Sequence, residues 1–458
     1  MNVMGKKVLV LGLGDTGLSM ATWLTRHGAR VRAADSRAKP PHADRLKRQL
    51  PQAEVITGGF NADCFKDIDL IAISPGVALS DPLLVSALQR GVPVVGDVEL
   101  FARALASRSA KVIAITGSNG KSTVTALCGE MCVAAGLKTM VAGNIGLPVL
   151  DALSAIEDGA TMPEVFVLEL SSFQLETTGS LNADVATVLN VTQDHMDRYP
   201  ELDAYAAAKA RIYMGHGVQL LNREDAYSRA MALPGRRIET FGLDAPANDA
   251  DWGLLKQGSQ DWLAHGSEAL LAASEVPMPG RHNTANALAA IALCQAIGLP
   301  LAPLYVALRA FKGLPHRVQK VAEVSNVTFY DDSKGTNVGA TVAALSGMRE
   351  PAILIAGGDG KGQDFSPMKL ACAKYARAVV LIGRDAPRIE AAISGCGVPI
   401  HHAKNMEEAV RLASDIAQAG DAVLLSPACA SFDMFRNYEH RAQVFVAAVQ
   451  KLQQERAA

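Results

Sequence analysis

A phosphate-binding pattern lies at residues 111–123, which read KVIAITGSNGKST. Its apolar first half predicts a buried parallel strand, and Lys121 opens a helical pattern after a glycine-containing turn. In such a turn backbone N–H groups approach phosphate oxygens, Lys121 adds a positive charge, and the Ser122 hydroxyl can ligate the Mg²⁺ of a nucleotide. The loop here is shortened, because residues 117–122 read G-x-x-G-K-S where the full motif is G-x-x-x-x-G-K-S. The alternative is an ordinary strand–turn–helix that happens to contain Gly-Lys-Ser.

A second glycine-rich turn, GLGDTG at residues 12–17, follows the first apolar segment, Lys7 to Leu11. The next predicted strand ends at Asp35, followed by Ser36 and Arg37. A strand, a GxGxxG turn, a helix and an acidic strand end form the fingerprint of a dinucleotide site, which favours NAD or FAD. The alternative is a Rossmann-like unit that binds another ligand or none. The three polar residues could bind ribose and phosphate together.

Four further polar residues follow the phosphate loop along the chain, and two of them could ligate a metal. Glu169 ends a predicted strand after the phosphate loop, which is where a second Mg²⁺ contact is expected. His195 lies among acids after another strand and could ligate a metal, or it could be an ordinary loop residue. Lys209 and Arg211 lie on a helix predicted over residues 204–214, where the default interpretation is a solvated face.

Composition excludes several classes of protein. The chain has 458 residues, of which 49% are hydrophobic and 20% charged, and a net charge of −2, so no basic field attracts nucleic acid or an anionic membrane. No apolar run reaches about 18 residues, and the N-terminus lacks the plan of a signal peptide. Seven scattered cysteines without a CxxC favour a reducing cytoplasm. Cys128 and Cys132 could serve a metal, but two core thiols are the simpler interpretation.

Strands alternate with helices along most of the chain, which predicts an α/β fold. We expect three domains: a Rossmann-like domain over 1–100, a central P-loop ATPase-type domain over 101–313, and a second Rossmann-like domain over 314–458. The polar segment 154–163 is expected to be a loop insertion, and residues 220–273 to be β-rich.

Three predicted strands of the last domain end in polar, glycine-rich segments at 331–337, 357–361 and 426–431. Open α/β sheets bind ligands at that edge. Three α/β units with one phosphate loop therefore suggest an enzyme that spends a nucleoside triphosphate on two other substrates. An NAD-dependent oxidoreductase and a non-catalytic nucleotide-binding switch are the alternatives from other classes.

Eight motifs occur in an order that closely resembles the Mur ligases of peptidoglycan synthesis, and with the opening GLGDTGLS they span essentially the whole chain. They are TGSNGKST, LELSSFQLE, NVTQDHMDRY, GRHNTANALAA, GLPHR, DDSKGTN, GGDGKGQDF and SPACASFDMFRNYEHR. The resemblance implies an ATP-dependent amide-bond ligase that adds D-glutamate to UDP-N-acetylmuramoyl-L-alanine. It implies a cytoplasmic enzyme, which we expect to be a monomer without a nucleic-acid partner. A sister ligase with another amino-acid substrate is the alternative.

The resemblance also assigns residues to each substrate. The first domain would hold the UDP-sugar rather than NAD, through Asp15, Thr16, Asp35, Ser36 and Arg37, with Asn144 and His195 near its muramoyl-alanine end. ATP would lie on Gly117, Ser118, Asn119, Gly120, Lys121, Ser122, Thr123, Asn283, Arg317 and Asp332. D-Glutamate would contact Thr336, Lys361, Ser431 and Tyr438.

The resemblance further implies two Mg²⁺ ions. One would be held by Ser122 and Glu169, and the other would involve His195 and Lys209. Lys209 matches the family lysine that is carbamylated, since a carbamate, unlike an ammonium, can face a cation. Lys121, His195 and Lys209 would then be the residues closest to the reaction.

Overall fold

The computed structural model describes residues 2–457 and contains three β-sheets, each flanked by helices. Apolar strands such as Val112–Ile115 are buried on both faces, as parallel strands between two layers of helices must be. The α/β class and the three-sheet architecture expected from the sequence are confirmed.

The first sheet is parallel and follows the dinucleotide-type pattern of the N-terminal segment. Its strands are β1 Lys7–Leu11, β2 Arg30–Asp35, β3 Glu54–Thr57, β4 Leu70–Ile73 and β5 Val94–Val95. Its helices are α1 Asp15–Arg26, α2 Ala43–Gln49, α3 Pro82–Gln89 and α4 Asp97–Leu105. The strand order is β3-β2-β1-β4-β5, so the chain reverses direction across the sheet next to β1. The GLGDTG turn follows β1 at this switch point, where such sheets bind ligands.

The central sheet has nine strands and carries the phosphate loop at the end of one of its inner strands. The strands are β6 Lys111–Thr116, β7 Thr139–Gly143, β8 Val165–Glu169, β9 Val185–Val188, β10 Val218–Asn222, β11 Ile238–Phe241, β12 Asp251–Gln257, β13 Gln260–His265 and β14 Glu268–Ala272. The helices are α5 Lys121–Ala134, α6 Val149–Glu157, α7 Ser172–Glu176, α8 Leu202–Ala210, α9 Ala226–Ala230, α10 Arg281–Ala296 and α11 Leu301–Ala310. The order is β14-β13-β12-β11-β10-β9-β6-β8-β7, with only the β12–β14 meander antiparallel. The β-rich stretch expected over 220–273 is therefore present.

The third sheet is parallel apart from its first strand. Its strands are β15 Gln319–Val324, β16 Val327–Asp331, β17 Ala352–Gly357, β18 Ala376–Ile382, β19 Ile400–His402 and β20 Ala422–Leu425. Its helices are α12 Val338–Ser346, α13 Met368–Tyr375, α14 Ala386–Ile393, α15 Met406–Ile416 and α16 Tyr438–Ala457. The order is β15-β16-β20-β17-β18-β19, and β15 runs antiparallel to β16.

The expectation of a loop over 154–163 was wrong for its first part, because α6 continues to Glu157. Val149, Leu150 and Leu153 of this helix are fully buried, and Ser154 to Glu157 form its last turn. That turn contacts α1, since the Arg26 guanidinium donates to the Ser154 carbonyl at 3.3 Å and its Nε lies 3.7 Å from Glu157 Oε2. The charge of Glu157 therefore serves a contact between two helices rather than a loop.

The apolar cores are distributed unevenly among the three sheets. One continuous cluster contains residues of β1, α1 and α4 together with residues of β6, α6 and α8, so the first and central sheets share a core. The two clusters around the third sheet contain only residues after position 317 among those described. No helix in the described part of the chain is long and apolar enough to cross a membrane.

Candidate active site

The phosphate loop joins β6 to α5 and has the conformation that its sequence predicts. Gly120 precedes the helix with φ of 84°, and a Cβ there would lie 2.5 Å from the Asn286 side chain. Glycine is required at this position for both reasons. The Lys121 Nζ folds back over the loop and donates to the carbonyls of Gly117 at 2.8 Å and Ser118 at 3.0 Å. A half-buried cation therefore lies directly at the loop.

A segment that sequence reasoning did not assign to the nucleotide site holds this loop in place. The Asn119 backbone N–H donates to Asn190 Oδ1 at 2.8 Å, and the Ser118 hydroxyl donates to the Thr192 carbonyl at 2.9 Å. Both partners follow β9, which is hydrogen-bonded to β6. The NVTQDHMDRY motif contained these residues, but its spacing alone did not indicate that they support the phosphate loop.

Lys209 is buried, with 1% of its surface exposed, so the default interpretation of a solvated face was wrong. It lies four residues after Tyr205 on α8, and both side chains face the phosphate loop. Its Nζ donates to the Gly117 carbonyl at 2.9 Å and lies 4.4 Å from the centre of the Tyr205 ring. Burial, and then the nearby charge of Lys121, hold the pKa of Lys209 well below its usual range.

Glu169 ends β8, opposite Ile115 in the register with β6, and only 1% of it is exposed. Its Oε1 accepts a hydrogen bond from Asn144 Nδ2 at 2.8 Å, whereas its buried Oε2 has no partner among the described residues. An unsatisfied carboxylate oxygen next to a phosphate loop fits a divalent cation that prefers oxygen ligands.

His195 lies near the same group of charges. Burial, and then the positive charges of Lys361 and Lys121, lower its pKa to about 4 although Asp194 opposes them, so its imidazole is neutral at pH 7. Its ring lies 6.5 Å from that of Tyr205, the residue that also contacts Lys209.

The described residues include no cluster of three or more His, Cys, Asp or Glu side chains suited to a metal. Any cation at this loop would therefore need further ligands, such as hydroxyl, phosphate, carbamate or water oxygens.

A cavity of about 850 Å³ opens beside the phosphate loop and is lined by parts of all the segments expected to bind ATP. Across its mouth, Arg317 Nη2 donates to Ser122 Oγ at 3.1 Å. Of the residues expected to bind ATP, those lining the cavity are Asn119, Gly120, Thr123, Asn283, Arg317 and Asp332. The others, Gly117, Ser118, Lys121 and Ser122, lie in the adjoining loop and the first turn of α5.

Burial raises the pKa of Asp332 to about 7, although Ser426 Oγ donates to its Oδ2 at 2.7 Å. A carboxyl group with a raised folded-state pKa contributes stability that is present below its unfolded pKa and is lost as the pH rises through the folded pKa. We therefore expect Asp332→Asn to be more stable than the wild type without nucleotide, by a margin that grows between pH 4 and 7 to at most about 4 kcal/mol. Urea unfolding across this pH range measures it. A margin that does not change with pH would contradict the buried, protonated carboxyl group.

The residues expected to bind the UDP-sugar lie around two neighbouring cavities. One, of about 500 Å³, is lined by Asp15, Thr16 and Asn144 and lies between the first and central sheets. The other, of about 690 Å³, is lined by Ser36 and by the loop after β4. Three of the expected residues, Asp35, Arg37 and His195, are not among the residues lining either cavity.

Asp35 is 2% exposed, and both oxygens of its carboxylate accept hydrogen bonds from residues of the first domain's sheet region. It accepts hydrogen bonds from the Leu13 backbone at 2.6 Å and from the Arg37 backbone, Nε and Nη2 at 2.7–2.9 Å. Burial alone would raise its pKa, but these hydrogen bonds lower it to about 2. Asp35 therefore fixes the GLGDTG turn and the guanidinium of Arg37, which is itself half exposed.

The residues expected to bind D-glutamate lie on three loops that backbone hydrogen bonds hold together. Asp359 and Ala430 exchange hydrogen bonds of 3.0 and 2.8 Å, and the Ala428 N–H donates to the Gly335 carbonyl at 3.0 Å. The fully buried Arg441 adds bonds to the carbonyls of Ser333 and Cys429. These loops carry Thr336, Lys361 and Ser431, and Tyr438 begins the following helix. No hydrogen bond within the described chain joins the four side chains directly.

The Tyr438 hydroxyl does not reach that group of loops. It donates to its neighbour Glu439 at 3.1 Å, and the ring lies 6.2 Å from that of His316. Burial raises the pKa of Tyr438 to about 12.

Polar contacts bring the third sheet against the phosphate loop. Lys361 Nζ lies 2.7 Å from Asp194 Oδ1, and Asn337 Nδ2 donates to Asn119 Oδ1 at 3.0 Å. Together with the Arg317–Ser122 bond, they place the loops of the third sheet over the charged group around Lys121. The edge of the third sheet that was expected to bind an amino acid therefore faces the edge of the central sheet that was expected to bind a nucleotide.

Comparison with protein families accounts for most of the chain. Residues 6–96 match the description "Mur ligase MurD-like, N-terminal domain", residues 115–294 match "Mur ligase middle domain", and residues 316–429 match "Mur ligase, glutamate ligase domain". Their order is that of the three sheets.

Curated relatives match over nearly their whole length. A protein of Thiobacillus denitrificans named "UDP-N-acetylmuramoylalanine--D-glutamate ligase" is 60% identical, covering 99% of this chain and 98% of its own. A protein of the same name from Nitrosospira multiformis is 59% identical, covering 100% of this chain and 98% of its own.

Among solved structures, a pseudomurein peptide ligase type C from Methanothermus fervidus superposes with a TM-score of 0.62 at 16% identity, covering 98% of this chain and 100% of its own. A UDP-N-acetylmuramate-alanine ligase from Thermotoga maritima gives a TM-score of 0.61 at 21% identity, covering 97% of this chain and 99% of its own. At these identities the superpositions show the shared fold alone. With three matching family domains and relatives about 60% identical over their full length, the chain belongs to the Mur ligase family.

Proposed function

We propose that this protein is an ATP-dependent ligase that joins D-glutamate to UDP-N-acetylmuramoyl-L-alanine during the synthesis of peptidoglycan precursors. The observation that carries the proposal is the similarity of the whole chain to relatives with that printed activity. An oxidoreductase would not need the phosphate loop that Lys121 completes. A sister ligase for another amino acid is not favoured, because the eight relatives compared share the D-glutamate name.

The reaction would take place between the phosphate loop and the loops of the third sheet. The carboxylate of the bound UDP-sugar attacks the γ-phosphorus of ATP, and the bond to ADP breaks to leave an acyl phosphate. The neutral amine of D-glutamate then attacks the acyl carbon, and phosphate leaves. Lys121 would neutralise charge on the transferring group, and Arg317 would help to hold the nucleotide.

Mg²⁺, when bound, would supply further charge neutralisation, and Glu169 Oε2 with the Ser122 hydroxyl would hold it. The neutral His195 and a carbamylated Lys209 would face a second ion. The depressed pKa of Lys209 supports this, because only a neutral amine takes up CO₂. Lys361, Thr336, Ser431 and Tyr438 would hold D-glutamate. Contact between the third and central sheets would keep water from the acyl phosphate.

Phosphate release with ATP, UDP-N-acetylmuramoyl-L-alanine and a panel of D- and L-amino acids tests the proposal. Release should depend on D-glutamate and on the UDP-sugar together. ATP binding without amino-acid-dependent release would indicate a nucleotide switch, and a change in NADH fluorescence would indicate an oxidoreductase.

Arg37→Ala should weaken the UDP-sugar by about tenfold and leave ATP unaffected, because a half-exposed guanidinium that Asp35 links to the GLGDTG turn suits a diphosphate. Calorimetric titration of both ligands measures the effect. Arg32→Ala is the matched control, since Arg32 lies on β2, just before Arg37, but pairs with Glu54 at 2.5 Å. Weaker ATP with unchanged UDP-sugar would show that the two sites were assigned the wrong way round.

We further propose that the enzyme is a cytoplasmic monomer. Residues 1–100, 101–313 and 314–458 would form the UDP-sugar, ATP and amino-acid domains.

A further inference from the structure

Arg198 joins the first sheet to the central sheet through one guanidinium group. Its Nη1 donates to the Pro75 carbonyl at 2.7 Å and its Nη2 to the Val77 carbonyl at 3.3 Å, both in the loop after β4. The same Nη2 donates to Glu176 Oε2 at 2.6 Å, at the end of α7. Only 16% of the Arg198 side chain and 15% of the Glu176 side chain are exposed. A largely buried ion pair of the central sheet therefore holds two carbonyls of the first sheet.

The loop held by Arg198 forms part of both cavities expected to take the UDP-sugar. Pro75 lines the cavity that contains Asn144, and Gly76 and Val77 line the cavity that contains Ser36. Inside the first sheet the loop is fixed to the GLGDTG turn, because the Ser74 hydroxyl donates to the Gly12 carbonyl at 2.9 Å. Movement of this loop would therefore alter both cavities.

The turn that carries Arg198 also contains His195. The N–H groups of Arg198 and Tyr199 both donate to the His195 carbonyl, at 2.9 and 3.0 Å, so the three residues form a single turn. Phe173 lies between the side chains, with its ring centre 4.1 Å from the Arg198 guanidinium carbon and 4.8 Å from the His195 ring. Glu176 fixes the turn a second time by accepting from the Tyr199 hydroxyl at 2.6 Å.

We propose that Arg198 is a positioning residue, which sets the distance between the UDP-binding loop after β4 and the reacting end of the substrate at His195. This inference rests on the proposed function, in which one long substrate would bind both at the loop after β4 and near His195. A guanidinium suits the task because its planar fork can hold two carbonyls and a carboxylate at fixed angles, whereas an ammonium is a point charge on a flexible stem. Arg198 lines neither of the two cavities, so it would act only through the parts that it joins.

The test compares a short ligand with a long one. In the proposed function UDP would contact only the first sheet, whereas UDP-N-acetylmuramoyl-L-alanine would span both sheets. Arg198→Ala should leave the affinity for UDP within about twofold and weaken the full substrate about tenfold or more. In turnover the KM for the UDP-sugar should rise and the KM for ATP should not change. Arg198→Lys keeps the charge without the planar fork and should show the same pattern at smaller amplitude. The lysine variant therefore still tests the inference if the alanine variant does not fold.

Arg236→Ala is the matched control. Arg236 also donates to several carbonyls, including those of Tyr213 at 3.0 Å and Gly215 at 2.6 Å, but all of them lie within the central sheet region. It should lower thermal stability and leave the ratio of the two affinities unchanged. Equal weakening of UDP and full substrate by Arg198→Ala, or weakening of neither, would overturn the inference. A wild-type protein that binds the full substrate no better than UDP would instead contradict the proposed function and, with it, the inference.

Discussion

Lys121→Ala is expected to lower phosphate release by at least two orders of magnitude, about 3 kcal/mol of activation free energy, and to leave UDP-sugar binding nearly intact. The variant removes the cation that lies over the Gly117 and Ser118 carbonyls at the start of α5. Charge neutralisation on a transferring phosphoryl group is the main work of such a site. The proposed UDP contacts at Arg37 lie on a different sheet and should not be affected.

Single-turnover experiments measure the rate of phosphate release, and titration with the UDP-sugar measures its affinity. Lys138→Ala is a suitable control, because it removes an exposed lysine from the opposite edge of the same central sheet. A Lys121→Ala variant that keeps more than about a tenth of the wild-type rate would contradict the role given to Lys121.

Lys209→Ala should lose most of the activity, and added acetate should restore part of it. If Lys209 carries a carbamate, alanine removes an anion from the buried group around Tyr205, and a small carboxylate can occupy the vacated space. Lys209→Arg should be inactive, because a guanidinium stays charged and cannot take up CO₂. A surface lysine would give near-normal turnover in both variants.

The modification itself can be observed directly. Acid removes a carbamate, so NMR at neutral pH with ¹³CO₂ is the appropriate measurement, with Lys209→Ala as the blank. Full activity of Lys209→Arg, or near-wild-type activity of Lys209→Ala, would contradict the carbamate. The Gly117 carbonyl bond seen here would then be the main role of Lys209.

The parts of the molecule that could be predicted from sequence are those encoded by local patterns. The strand before the phosphate loop, the glycine at 120 and the helix from Lys121 follow from residues close together in the chain. The burial of Lys209 could not be predicted in this way, because helical periodicity describes one helix and not the loop that packs on it. The roles of Asn190 and Thr192 depend on the pairing of β9 with β6, which composition does not specify.

The last turn of α6 illustrates the opposite error. Its polar residues resemble a loop because they face α1, a partner more than a hundred residues earlier in the chain. Contacts between distant segments thus account for the error at α6 as well as for the unexpected burial of Lys209.

The core shared by the first and central sheets has a thermodynamic consequence. Where two sheets bury the same apolar cluster, neither can open without exposing part of the hydrophobic surface of the other, so they form one cooperative unfolding unit. The third sheet encloses clusters of its own and meets the rest largely through polar side chains. The three sheets are therefore expected to unfold as two units, one formed by the first and central sheets and one by the third. The contact expected to loosen most readily is the polar one between the loops of the third sheet and the phosphate loop, which lies beside the residues proposed to hold D-glutamate.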